Sequence, residues 1–168
     1  EFLVNNPIPI LTSLSPSKVT GGGNGFDLTL LGSNFIPDSV AKWNGADRVT
    51  TFVSRTELKS AILAGDIATG KEVQISVYNP SPAGGTSNTI SLPISSFTMN
   101  SSPTSATVNA GQSAAYAIQV IPQFSSFDSS VAFTTTGLPR NSTASITPAS
   151  VTPGANTGAV ALNVATRT

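Results

Sequence analysis

The sequence predicts an all-β chain, built as two antiparallel β-sandwiches in tandem, and three observations carry that prediction. Apolar and polar residues alternate with period two over short runs, as they do on half-buried strands. Turn chemistries separate the runs every 8–12 residues or so, the spacing of a sandwich. Charge density also changes sharply near residue 94. Residues 1–94 hold six of the eight basic and seven of the eight acidic side chains, and residues 95–168 hold only Asp128, Arg140 and Arg167.

The runs can be taken in chain order. The stretch "VTGGGNG" at 19–25 offers Gly21, Gly22, Gly23 and Gly25 ahead of an alternating segment in which Phe26, Leu28 and Leu30 face one way and Asp27, Thr29 and Leu31 the other. A phosphate cradle needs its glycines to open a helix, usually with a Lys and a hydroxyl following. Here a strand with an acid at its second position follows, so the glycines read as a turn. Asn44-Gly45 is the strongest two-residue hairpin signal in the chain. "ELKSAILAGDI" at 57–67 reads as a strand over Leu58 to Ile62 and at most one helical turn. Val73, Ile75 and Val77 then share a face that excludes Tyr78. In the second half Tyr116, Ile118 and Val120 form one face, and Val160, Leu162 and Val164 another. "NPSPAGG", "NAGQ", "GLPRN" and "TPGAN" supply the remaining turns, and 12 prolines leave little room for helices.

Each half has enough alternating runs for six or seven strands, which places the domains at 1–94 and 95–168. The join, Leu92-Pro93-Ile94-Ser95-Ser96-Phe97, has no glycine, and Pro93 fixes its own φ while biasing Leu92 toward extended conformations. Two closely coupled domains in an elongated pair are expected.

Composition excludes several functions. Charged residues are 10% of the chain, with net charge zero, while hydrophobic residues are 39%; ordinary soluble domains carry about 25% charge. With no Cys there are no disulfides, thiol nucleophiles or thiolate metal sites, and with no His the usual general base is missing. The acids do not cluster. Asp38, Asp47 and Asp66 are scattered, without the alternating Asp/Asn run of a calcium loop. Lys42, Arg48, Arg55 and Lys59 are interleaved with Asp38, Asp47 and Glu57, which opposes binding to nucleic acid. No apolar run approaches the ~20 residues of a membrane span. The chain opens at Glu1-Phe2 and reads as a piece of something longer.

"PILTSLSP" at 9–16, the Gly-rich turn, "FDLTLLGSNF" at 26–35, "SVAKWNG" at 39–45, "VSRTELKSAI" at 53–62, "KEVQISVYNP" at 71–80 and "GGTSN" at 84–88 occur in an order and spacing that resemble the IPT/TIG family of immunoglobulin-like domains. That resemblance covers the first half and implies an immunoglobulin-like sandwich there. Gly32 and Asn34 suit a tight or bulged corner, and Phe35 a plug at the sandwich end. The second half is similar to the Ig-like repeat that follows such modules in large bacterial exported proteins. Relatives of that repeat often carry a Cys pair near the positions of Thr135 and Ala144, so its core here rests on hydrophobic packing alone.

The expected function is a non-catalytic structural, spacer or adhesion module pair of a bacterial exported or cell-surface protein, located outside the cell. Neither enzymatic activity nor a cofactor is expected. The expected partners are neighbouring domains of a longer chain, with carbohydrate or another surface protein as further alternatives, and a monomer is expected. The competing reading is an accessory domain pair that binds or positions carbohydrate for a polysaccharide-degrading enzyme. Trp43 and Tyr78 are its candidate ligand contacts, because a sugar platform needs an exposed aromatic with polar neighbours. Against this, the third strand of Ig-like folds commonly carries a core Trp.

Overall fold

The structure, a computed structural model, describes residues 4–168. It divides into two compact units, one ending at Ser95 and the other running Ser96–Thr168. The only helical element among the described residues is a single 3-10 turn.

In the first unit, β1 (Ile10–Ser15), β2 (Val19–Thr20), β3 (Phe26–Ser33), β4 (Val40–Trp43), β5 (Ala46–Asp47), β6 (Thr50–Ser54) and β7 (Glu57–Ile62) precede the 3-10 turn Ala64–Ile67. β8 (Lys71–Asn79), β9 (Gly85–Thr86) and the first half of β10 (Ile90–Ser102) complete it. One sheet has the order β1-β3-β7-β6, and the other the order β10-β8-β4-β5. Two short strands attach to the second sheet: β9 on β8, and β2 beside β10. The β2–β10 pairing (Val19 with Ile94, Thr20 with Ser95) is parallel, as is the isolated bridge of Asn6 with Ala83, whereas the other named strands pair antiparallel.

The alternation in the sequence is realised residue by residue. Leu28 and Leu30 on β3, Leu58 on β7, Val73, Ile75 and Val77 on β8, and Leu92 and Ile94 on β10 are all buried in a common core with Trp43 and Phe35. Each buried aliphatic side chain contributes about 1.5–3 kcal/mol of transfer free energy. The hairpin at Asn44-Gly45 joins β4 to β5 with both residues at positive φ, 49° and 85°, as a primed two-residue turn requires. Asn44 also docks this turn on the neighbouring strand: its N–H donates to Gln74 O (2.9 Å), and its Oδ1 accepts from Gln74 N (2.8 Å).

The second unit forms a sheet of order β10-β11-β15-β13 from the end of β10 with β11 (Ser113–Gln123), β13 (Ser142–Thr147) and β15 (Gly158–Thr166). A separate two-stranded ribbon pairs β12 (Val131–Ala132) with β14 (Ser150–Val151). Gly158 lets the ribbon lie close, since a Cβ there would meet Val151 Cγ2 at 2.7 Å. Phe97 and Phe127 meet edge to face with centroids 4.9 Å apart. The faces anticipated from the sequence are present but shallow. Val120 and Val160 are buried, whereas Tyr116, Ile118, Leu162 and Val164 are only half-buried. Two of the covering strands are two residues long, and so little chain lies over the sheet.

The corner after β3 is the tightest place in the first unit. Gly32 N donates to Thr56 O (3.0 Å) and Phe35 N to Arg55 O (3.1 Å), with Asn34 between them at φ 63°. A Cβ on Gly32 would lie 2.0 Å from Ile10 O and 2.6 Å from the Phe35 ring. One of those contacts is backbone on the paired strand, so relief requires moving β1. Gly32→Ala should therefore destabilise the first unit by about 3 kcal/mol, the upper part of the range for overpacking. Urea denaturation followed at Trp43 reads this directly.

Candidate functional site

The glycine-rich turn can be tested first, because phosphate recognition depends on free backbone N–H groups. Two of those groups are committed: Gly21 N donates to Ser95 O (2.8 Å) and Gly22 N to Ile67 O (2.7 Å). Gly25 is pressed against backbone, with a Cβ there meeting Ile62 O at 2.7 Å. These glycines pack a turn onto β10 and the 3-10 element.

Trp43 is 5% exposed and belongs to the core of the first unit. Arg48 lies over it, with the guanidinium carbon 5.8 Å from the ring centroid, and its Nη2 donates to Asp66 Oδ1 at 2.7 Å. Asp66 Oδ2 accepts from Leu63 N (3.1 Å), so one carboxylate fixes both the arginine and the start of the 3-10 turn. Tyr78 is half-buried on the other face of β8, as its phase predicts. Lys42 Nζ sits 5.2 Å above the Tyr78 ring and pairs with Asp47. The structure thus surrounds each candidate aromatic with its own cation and does not bring the two rings together on one platform. Asp47 and Asp66 serve separate ion pairs, and no group of three metal-ligating side chains converges among the described residues.

Two features were missed by sequence reasoning. The first is Asn79, the last residue of β8, which is fully buried. Its Oδ1 accepts from Ser39 Oγ (2.6 Å), while its Nδ2 donates to Pro7 O (2.8 Å) and Asn34 O (2.9 Å). The second is a cleft of about 700 Å³ at that same end of the sandwich, framed by residues 4–7, 33–37 and 52–56. Arg55 lines it and has no ion pair among the described residues. No sequence signal marks the cleft, because Arg55 lies two residues from Glu57 and reads as one of the interleaved charges.

An IPT/TIG domain model matches residues 9–98, more than half of the chain. No curated protein matches it. Among solved structures, the chain is similar to the solution structure of the TIG domain from human nuclear factor of activated T-cells, cytoplasmic 4. The two are 22% identical, with a TM-score of 0.41, over 52% of this chain and 87% of that one.

With its indole packed in the core, Trp43 should emit at short wavelength, and added cello-, xylo- or chito-oligosaccharides should leave that emission unchanged. A saturable quench by one of these sugars would show that the ring is reachable and restore the carbohydrate reading.

Proposed function

The chain belongs to the IPT/TIG domain family through residues 9–98, and from that premise we propose that it is a non-catalytic structural module pair that spaces and presents neighbouring domains of a bacterial exported or cell-surface protein. In this reading the second unit is an Ig-like repeat, and the pair acts as a monomer outside the cell.

The observation that carries the proposal is the junction. Ile94 pairs with Lys71 and Val19 in the first unit, and Ser96 pairs with Gln123 in the second. Between them Ser95 pairs with Thr20, and its side chain donates to Val19 O (3.2 Å). A flexible tether needs several unpaired residues, usually Gly and Ser; here every junction residue is committed to strand pairing. A module that transmits spacing needs such a connection, whereas an independent binding domain does not.

Small-angle scattering of the 168-residue chain tests the proposal. A single domain arrangement should account for the profile, and Pro93→Gly together with a five-residue Gly/Ser insertion after Ser95 should broaden it to an ensemble. A native profile that already requires a broad range of domain orientations would remove the spacer role.

A further inference from the structure

We propose that the Arg55 cleft is a docking site for an extended peptide that carries an acidic side chain, added along the outer edge of β6. This inference concerns a surface of the first unit and does not rest on the spacer reading.

β6 ends its sheet, with β7 on one side and no strand on the other among the described residues. An unpaired strand edge is a template for another chain unless charge, proline or a covering loop blocks it. The sequence of β6, Thr-Thr-Phe-Val-Ser, contains neither charge nor proline, and Val53 is 48% exposed on it. At the Thr50 end the edge is occupied, because Thr50 Oγ1 accepts from Ala41 N (2.9 Å) and Arg48 N donates to Ala41 O (2.9 Å). At the opposite end Phe52 on β6 and Arg55 and Thr56 just beyond it line the cleft.

The lining of the cleft specifies what the peptide would carry. Ile36, Pro37 and Phe52 give it apolar walls, and Arg55 supplies a cation. Of the three asparagines that line it, Asn5, Asn6 and Asn34, two have their amide nitrogens already used: Asn34 Nδ2 donates to Ile8 O (3.0 Å) and Asn6 Nδ2 to Pro80 O (2.9 Å). Beside the Asn5 amide, the guanidinium is the one charged donor of the lining, and its planar fork matches a carboxylate in bidentate geometry. One cation beside an apolar wall fits a single carboxylate better than a nucleic-acid backbone, which requires several. Side chains two residues apart on a strand share a face, roughly 6.6 Å apart. The fitting sequence is therefore acidic-x-apolar, with the acid on Arg55 and the apolar residue against Phe52. Main-chain pairing would supply affinity and the cleft specificity.

The test is a titration of the isotopically labelled 168-residue chain, followed by amide NMR shifts, with the capped hexapeptide Thr-Glu-Thr-Val-Thr-Glu, which carries the acidic-x-apolar spacing, up to about 5 mM. Shifts should be confined to residues 33–37 and 52–56 and should saturate with a millimolar or tighter Kd. Arg55→Gln should weaken binding at least tenfold, as should replacing each Glu of the peptide by Gln. The dispersion of the variant's spectrum reports in the same experiment that it is folded. Absence of localised shifts, or equal binding by the variant, would overturn the proposal. So would a response to a galacturonate trimer with the peptide silent, which would make the site one for acidic sugars.

Discussion

The first unit depends on one buried amide. Asn79 ends the central strand of its sheet at a point where three chain segments arrive from elsewhere: the segment before β1, the corner after β3 and the turn before β4. Its side chain binds all three, through Pro7 O, Asn34 O and Ser39 Oγ. Only one orientation of the amide presents its oxygen to the hydroxyl and its nitrogen to the two carbonyls, so the partners determine it. A buried polar group left without a partner costs about 1–3 kcal/mol, so the cluster is stable complete and costly in part. Neighbouring bonds reinforce it: Asn6 N donates to Pro82 O (2.8 Å) and Gly84 N to Asn6 O (2.8 Å). Phe35 is fully packed beneath the corner, and the cleft with Arg55 lies over these same segments. The site is thus positioned by a polar knot and not by the apolar core alone.

That division explains what could be read in the sequence. Period-two alternation follows from strand geometry, so Leu28, Leu30, Val73, Ile75 and Val77 were legible as core, and Asn44-Gly45 as a hairpin. The 3-10 turn at Ala64–Ile67 was legible too, because it directly follows a strand whose alternation ends at Ile62. Asn79 was not. It sits in "YNP", where an Asn before a Pro reads as the start of a turn, and its partners are 40, 45 and 72 residues away. The cleft was hidden for a related reason. Interleaved charges in the sequence suggest a neutral surface, but which cation is left over depends on the fold, which gives Asp47 to Lys42 and Asp66 to Arg48.

The second unit shows the limit of pattern alone. Its alternating faces are where the sequence puts them, yet Tyr116, Ile118, Leu162 and Val164 are only half-buried, because alternation marks a face without fixing how much chain covers it. The glycine-rich turn and Trp43 carry the opposite lesson. Both are residue types that invite a functional reading, and both are consumed by packing: the turn through Gly21 and Gly22, whose N–H groups are spent on carbonyls, the indole through burial under Arg48.

The central claim, that Asn79 holds its end of the sandwich together as one cooperative cluster, is tested most directly by a double-mutant cycle between Ser39→Ala and Asn79→Ala, measured by urea denaturation. Residues in one hydrogen-bond network couple by about 0.5–3 kcal/mol, whereas independent sites add to within about 0.3–0.5 kcal/mol. A coupling above about 1 kcal/mol is expected, because each substitution leaves the other's buried polar group short of a partner. Additive losses would contradict it and return the stability of this end of the sandwich to apolar packing.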